Sequence, residues 1–295
     1  MNEMPQCPIC NGQNFTEKAR TKDFTVSGEL FAIMQCTLCG LGITVPRPAN
    51  HKLALYYLSD EYISHSGKSS SIIDSIYLLA RNYTLQWKHR IISGLTNQRR
   101  LLDYGCGTGE FLNFMKNKEY QVEGVEPSDL ARAKASALLM QPVQSSLHHI
   151  TGLYNIITLW HVLEHVPDLN EKLISLSEKL ASDGVMIIAV PNINAWESTH
   201  YNSFWAAFDT PRHLWHFSRK SVETLLEKNH LKLIGTIPMK LDAYYISLLS
   251  EKYKHENKQN FIGMIRAFFI GLSSNTKAAK SGEYSSLIYI AAHEK

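Results

Sequence analysis

The chain has 295 residues, enough for one substantial hydrophobic core and a small accessory module. Its hydrophobic fraction of 44% and charged fraction of 19% are ordinary for a globular protein, which excludes a disordered or fibrous chain. The net charge of +3 is not concentrated in a long lysine or arginine run, so no nucleic-acid partner is expected.

Nothing in the sequence indicates export or membrane insertion. Residues 1–6 have neither a basic region nor an apolar region of the kind found in signal peptides. The longest apolar stretch, residues 261–272, is interrupted by Arg266 and is too short to span a bilayer. We therefore expect a cytoplasmic protein.

The amino-terminal region carries four of the five cysteines as two C-x-x-C pairs, Cys7 with Cys10 and Cys36 with Cys39. Four thiolates complete a tetrahedral shell with no open position, so this spacing predicts a structural Zn²⁺. Basic and aromatic residues do not cluster here, which disfavours a nucleic-acid-reading ribbon. We expect a zinc-ribbon module over residues 1–48.

Helices and strands follow in a regular order. Apolar residues at helical spacing predict a helical linker or cap over residues 49–97. Strands are predicted at 100–103, 121–126, 155–160, 185–190, 231–237 and 285–292, with helices at 110–117, 129–140, 169–180 and 219–229. This alternation predicts a doubly wound α/β domain over residues 98–295, with a helical insertion at about 241–280 before the last strand.

A glycine-rich turn follows the first of these strands. Residues 103–109 read Asp-Tyr-Gly-Cys-Gly-Thr-Gly, and Glu126 ends the next strand. Such glycines let the backbone approach a nucleoside cofactor, and the second acid can bind both ribose hydroxyls. A dinucleotide turn would read G-x-G-x-x-G, and Asp103 would repel its pyrophosphate. The turn therefore favours S-adenosyl-L-methionine over NAD, while an NAD-dependent oxidoreductase stays the alternative from another class.

Four segments together carry a resemblance to a known family: residues 102–109, 125–127, 160–168 and 209–218. Over about residues 98–240 the chain resembles class I S-adenosylmethionine-dependent methyltransferases, especially bacterial ones with an amino-terminal zinc ribbon. The resemblance implies a seven-stranded Rossmann-like sheet whose last strand, residues 285–292, is antiparallel.

The resemblance also implies the cofactor contacts. The glycines would cradle the methionine portion, Asp103 would lie near its ammonium group, and Glu126 would hold the ribose. The full predicted set is Asp103, Gly105, Cys106, Gly107, Gly109, Glu126, Pro127, Ser146, Trp160 and His161. Family members often carry an adenine-binding acid after the third strand, where this chain has Ser145 and Ser146. The acid that commonly precedes the fourth strand is replaced by Tyr154 and Asn155.

Residues 161–165, His-Val-Leu-Glu-His, formally match the inverted zinc-protease pattern H-x-x-E-H. That pattern needs a continuous helix, whereas this segment follows a strand and is closed by Pro167. The methyltransferase context is the better interpretation.

Histidines are the candidate general bases, because methyl transfer requires one proton to leave the acceptor. The order of preference is His213, His165 and His161; the alternative is that they only hold loops by hydrogen bonds. The expected reaction is O-methylation of a small-molecule acceptor. C- or N-methylation of a sugar or lipid-like intermediate is the rival, and an inactive zinc-ribbon binding protein is a further alternative.

Residues 261–272 carry apolar side chains at helical spacing, which predicts a helix face turned to the core. The alternatives are a peripheral membrane contact or a lid over a lipid-like acceptor.

Overall fold

The computed structural model describes residues 6–57, 72–256, 258 and 261–294, with residues 72–80 described for the backbone alone. The strands are β1 Phe15–Lys22, β2 Leu30–Cys36, β3 Gly42–Val45, β4 Arg100–Tyr104, β5 Gln121–Val125, β6 Tyr154–Trp160, β7 Leu180–Pro191, β8 Trp215–His216, β9 Leu231–Pro238 and β10 Ser286–His293. The α-helices are α1 Asn50–Leu53, α2 Ile72–Leu95, α3 Glu110–Lys116, α4 Asp129–Leu139, α5 Leu169–Ser177, α6 Trp196–Tyr201, α7 Arg219–Lys228, α8 Asp242–Lys254 and α9 Phe261–Ser281. Residues 58–71 of the predicted helical linker lie outside the described part.

The larger sheet has the order β5-β4-β6-β7-β10-β9. Strands β4 to β7 pair in parallel, and β10 is antiparallel to both β7 and β9. This confirms the doubly wound fold and the antiparallel last strand. The sheet has six strands among the described residues, where seven were expected.

The seventh position is reduced to one bridge, in which Gln144 pairs in parallel with Val125 of β5. Gln144 still bonds Gly124 and Glu126 on that edge, at 2.9 and 2.8 Å. Pro142 has no amide hydrogen to donate, and Ser146 caps a 3₁₀ turn, so the pairing cannot lengthen in either direction.

Apolar residues on both faces of the central strands build two cores. Leu102, Ile157 and Met186 are register neighbours that lie in one core cluster. The adjacent Leu101 and Ile156 lie in the other. Because side chains alternate along a strand, a sheet covered by helices on both faces needs this continuous apolar sequence.

The smaller sheet, β1-β2-β3-β8, is antiparallel, and its last strand comes from the distant residues of β8. The Trp215 indole of β8 donates to the Val166 carbonyl at 2.7 Å. The Pro8 carbonyl, inside the first cysteine pair, accepts hydrogen bonds from Asn170 of α5 and Lys228 of α7. The amino-terminal sheet is thus fastened to the helices of the larger sheet. The boundaries at residues 48 and 97 stay predictions.

Helix α9 departs from the expectation of a core-facing apolar stripe. Phe261 and Phe269 are 71% and 59% exposed, whereas Gly263, Ala267 and Gly271 are buried. The small residues are inside because α8 packs so closely that a Cβ on Gly271 would lie 2.7 Å from the Tyr244 ring. The prediction of a core-facing stripe was wrong. No helix of the described residues is long and apolar enough to cross a membrane.

Candidate active site

The glycine turn lies where β4 ends. Its three glycines all have positive φ angles, but their surroundings differ. A Cβ on Gly105 would lie 2.5 Å from Val162, and one on Gly109 would lie 3.0 Å from Ala135. A Cβ on Gly107 would meet nothing within 4 Å. The outer glycines therefore permit close packing, and Gly107 leaves the open space that a backbone-bound cofactor requires.

Glu126 stands beside this open space. One carboxylate oxygen accepts the amide hydrogen of Gly107 at 2.9 Å, and the other accepts that of Ser128 at 2.8 Å. The carboxylate thereby joins the turns that follow β4 and β5. A carboxylate fixed next to a glycine cradle fits the ribose of a nucleoside cofactor.

Asp103 is buried at the end of β4 and accepts a hydrogen bond from the Thr158 hydroxyl at 2.5 Å. Burial raises the pKa of Asp103 to about 7, although Thr158 and the nearby Lys88 oppose the shift. Burial also lowers the pKa of Lys88 to about 8, against the charges of Asp103 and Asp242. The Lys88 ammonium of α2 thus lies near Asp103, the acid predicted to bind the cofactor ammonium. Sequence reasoning missed Lys88.

The Trp160 ring lies at the same edge of the sheet, at the end of β6. Its centroid lies 4.0 Å from the Lys88 ammonium and 5.5 Å from the Phe111 ring centroid. Its buried indole nitrogen has no hydrogen-bond partner among the described residues. An unpaired donor beside an open cradle is consistent with a ligand at this edge.

The other predicted cofactor residues contribute less through their side chains. The Cys106 thiol is buried against Gly124, so only its backbone is at the turn. The Ser146 hydroxyl caps the 3₁₀ turn that follows it, and Pro127 is exposed. The structure therefore brings Asp103, the glycines, Glu126, Trp160 and His161 to one edge.

His161 lies between two carboxylates. Its Nε2 is 3.2 Å from Asp242 Oδ2, and its Nδ1 is 3.4 Å from Glu164 Oε1. Burial disfavours the imidazolium, but Asp242 and Glu164 outweigh it and raise the pKa of His161 to about 10. His161 is therefore a cation at neutral pH, a state that opposes its predicted role as a base. Asp242, in the predicted insertion, belongs to no motif and was missed.

His165 and His213 form a pair, with ring centroids 4.6 Å apart. His165 Nδ1 lies 3.0 Å from the Arg212 carbonyl oxygen, and His213 Nδ1 lies 2.9 Å from that of Ala207. A carbonyl only accepts, so each Nδ1 carries the hydrogen, and in the neutral ring each Nε2 has a lone pair. Burial, together with the proximity of His213, lowers the pKa of His165 to about 4.

Arg212 fixes the loop that carries His213. Its guanidinium lies 2.6 Å from Asp209 Oδ1 and 3.1 Å from Asp23 Oδ1. Asp23 belongs to the turn between β1 and β2, so this buried pairing ties the histidine loop to the smaller sheet. The Thr44 hydroxyl of β3 adds a hydrogen bond to the His213 carbonyl at 2.6 Å.

The four amino-terminal cysteines meet at one point. Their sulfurs all lie within 4.8 Å of one another, with 3.5 Å between Cys7 and Cys39 and between Cys10 and Cys36. A tetrahedral zinc with Zn–S bonds of about 2.3 Å holds its sulfurs about 3.8 Å apart. The cluster could therefore hold such an ion with little movement.

Sequence comparisons relate the chain to methyltransferases. The sequence model of a family described as "Methyltransferase domain" matches residues 77–235. C-methyltransferase NovU of Streptomyces niveus is 27% identical over 149 residues, 48% of this chain and 34% of that protein. Ubiquinone biosynthesis O-methyltransferase of Histophilus somni is 31% identical over 128 residues, 38% of this chain and 53% of that protein. The chain thus spans about a third to a half of these relatives.

Solved structures share the fold at low sequence identity. Magnesium protoporphyrin IX methyltransferase of Synechocystis, with bound S-adenosylhomocysteine, has a TM-score of 0.54 at 12% identity, covering 83% of this chain and all of that one. Geranyl diphosphate C-methyltransferase of Streptomyces coelicolor has a TM-score of 0.50 at 15% identity, covering 77% and 86%. The family match extends over more than half of the chain and favours a methyltransferase over the NAD-dependent oxidoreductase. The chain therefore belongs to the family described as "Methyltransferase domain".

Proposed function

We propose that this enzyme methylates a hydroxyl oxygen of a small-molecule acceptor that binds against His165 and His213. The observation that carries the proposal is the orientation of His213. Its Nδ1 hydrogen is engaged by the Ala207 carbonyl, which leaves Nε2 to promote loss of the acceptor proton. Glu164 and Asp209 lie 4.0 and 3.9 Å from Nε2.

S-adenosylmethionine, when bound, supplies a methyl group on a sulfonium that an acceptor lone pair can displace. The residues proposed to hold it are the glycines of the turn, with Asp103 facing the ammonium and Glu126 facing the ribose. Trp160 and His161 would close the edge towards the acceptor. Holding the two reactants in line is the main contribution of such a site.

The test uses S-adenosylmethionine with a ¹³C-labelled methyl group and a low-molecular-mass metabolite extract as the source of acceptors. We expect S-adenosylhomocysteine to form only with the extract, and the labelled carbon to have the chemical shift of an O-methyl group. Label found only on carbon or nitrogen would contradict O-methylation and support the sugar or lipid-like alternative. The similarity to a C-methyltransferase supports C-methylation as the alternative.

A variant separates the role of His213 from cofactor binding. His213→Gln should lower kcat by about tenfold to ten-thousandfold, the usual contribution of acid–base catalysis. The Kd for S-adenosylhomocysteine should be unchanged, because His213 lies outside the glycine edge. Unchanged kcat would remove His213 from the reaction.

We also propose that Cys7, Cys10, Cys36 and Cys39 hold a structural Zn²⁺. A shell of four thiolates leaves no position for a substrate, and the small sheet around it has few core residues of its own. Purified protein should release zinc on treatment with a thiol-modifying reagent, and the zinc should not be released from Cys36→Ser/Cys39→Ser protein. Protein that is folded and contains no zinc would contradict this proposal.

A peripheral membrane contact is proposed for α9. Its exposed Phe261, Ile262, Phe268 and Phe269 lie on a helix that contains Arg266, Lys277 and Lys280 and no acidic residue. Apolar side chains flanked by cations suit an anionic lipid surface. The protein should co-sediment with phosphatidylglycerol vesicles, and Phe268→Ser/Phe269→Ser should reduce this. Equal sedimentation of both proteins, or none, would contradict the contact.

A further inference from the structure

Glu164 is a buried carboxylate whose nearest partner is the His161 ring. Its side chain is 1% exposed, and neither oxygen accepts a hydrogen bond from any described residue. The ring nitrogens nearest to Oε1 are His161 Nδ1 at 3.4 Å and His213 Nε2 at 4.0 Å. His161 faces Oε1, whereas Oε2 has no hydrogen-bond partner among the described residues, so the carboxylate can accept a further ligand.

Three ligand atoms converge beside His161. One carboxylate oxygen of Glu164 and one ring nitrogen each of His165 and His213 lie within 4.8 Å of one another. In both histidines Nδ1 contacts a backbone carbonyl, and in His165 the Tyr57 hydroxyl also lies 3.0 Å from Nδ1, so Nε2 is the nitrogen left to bind an ion. A carbonyl that fixes the tautomer in this way is the usual support of a metal-binding histidine.

We infer that Glu164, His165 and His213 form a second metal site, which takes a divalent first-row transition ion. Two imidazoles and one carboxylate are a ligand set for such ions, and they leave coordination positions open. Bonds of about 2.0–2.2 Å to nitrogen and oxygen require the side chains to close by less than about 1 Å.

This site is distinct from an H-x-x-E-H protease site. Leu163–His165 is a 3₁₀ turn, not part of a continuous helix. His161 turns to Asp242, and His213, from the loop before β8, takes its place beside Glu164. The site also differs from the four-cysteine cluster, whose shell is closed.

The reaction step at this ion rests on the proposed O-methylation. With the ion bound, His213 Nε2 would be a ligand and would promote loss of the acceptor proton through the metal instead of as a free base. An acceptor hydroxyl bound at an open position would lose its proton to water near neutral pH, as metal-bound water does. The oxygen lone pair then forms the new C–O bond, while the C–S bond breaks and its electron pair returns to sulfur.

Metal analysis tests the site without any methyl transfer. Wild-type protein, Glu164→Gln and His213→Gln are dialysed against excess micromolar Zn²⁺, freed of loosely held ion, and analysed for zinc per chain. We expect wild type to retain one equivalent more than either variant, whatever the cysteine cluster holds. His149→Gln, which removes an exposed histidine, is the matched control and should equal wild type.

Two further readouts complete the experiment. Binding of S-adenosylhomocysteine and cooperative thermal unfolding show that each variant is folded; a variant that is not folded is replaced by His165→Gln. Equal zinc content in wild type and both variants would overturn the metal site. It would leave the proposed O-methylation standing, with His213 as a general base, whereas label on carbon or nitrogen would overturn O-methylation and leave the metal content unaffected.

Discussion

Asp242, at the start of α8, holds the imidazole of His161, with 3.2 Å between Oδ2 and Nε2. His161 follows β6 directly, so this contact joins the carboxyl edge of the sheet to the helical insertion. It also sets the charge of a residue that sequence reasoning had considered as a base.

Replacing Asp242 by Asn should lower the pKa of His161 from about 10 towards its ordinary value. In wild type the folded-state pKa is above the unfolded value of about 6.5, so the stabilisation is complete below pH 6.5 and is lost as pH rises towards 10. NMR titration of the His161 ring measures the shift. Asp129→Asn, at an exposed site, is the control; an unchanged His161 midpoint in Asp242→Asn would disprove the pairing.

The affinity for S-adenosylhomocysteine should depend on pH through Asp103. Its pKa is about 7 in the free protein, and the ligand ammonium favours the ionised form. The affinity should therefore rise with pH by up to about tenfold per unit and level off above about 7. Titration calorimetry across pH 5–8 measures this, and Asp103→Asn should flatten the profile.

The Lys88→Met variant tests, in the same pH experiment, whether Lys88 interacts with Asp103. The Lys88 charge lowers the pKa of Asp103, so its removal should move the point of levelling to higher pH. A profile that stays in place would show that the two side chains do not interact.

Glu126→Ala should weaken binding of S-adenosylhomocysteine by at least about tenfold, since a charge-assisted hydrogen bond contributes roughly 1.5–3 kcal/mol. The affinity of Glu126→Gln, which keeps the shape and one acceptor oxygen, should lie between those of the wild type and Glu126→Ala. Because Glu126 also accepts the Gly107 and Ser128 amides, thermal unfolding must be recorded with each variant. Wild-type affinity in a folded Glu126→Ala protein would remove this residue from the ribose site.

Arg212→Met should destabilise the fold by about 3–5 kcal/mol, because the buried Asp23 and the partly exposed Asp209 lose their common partner. The exposed Arg20–Glu17 pair offers a matched control, and Arg20→Met should cost no more than about 1 kcal/mol. Urea unfolding gives both values. Equal losses would mean that the Arg212 pairing contributes no more than a surface ion pair.

Local patterns predicted much of the fold. The alternating strands and helices and the glycine turn each depend on residues close in sequence, whereas the antiparallel direction of the last strand was implied by the family resemblance. The prediction of a seventh strand was wrong, because Pro142 and Ser146 limit the pairing to one residue. Strand β8 is only two residues long and exists because β3 pairs with it. Helix α9 was misread because close packing on α8 places its small residues inside, which no periodicity reveals.

The candidate site was predicted in part. Asp103, Gly107, Glu126 and Trp160 share one edge because parallel strands end together. Lys88 and Asp242 reach it from helices far away in sequence, and neither belongs to a motif. A lysine among the apolar residues Leu85, Trp87, Ile91 and Ile92 of α2 was the one local hint of the former.

The most direct test of the account is titration calorimetry of the wild-type protein with S-adenosylhomocysteine and, separately, with NAD⁺. The glycine cradle with Glu126 beside it predicts about one S-adenosylhomocysteine bound per chain and no heat from NAD⁺. Binding of NAD⁺ in the absence of any binding of S-adenosylhomocysteine would contradict the central claim.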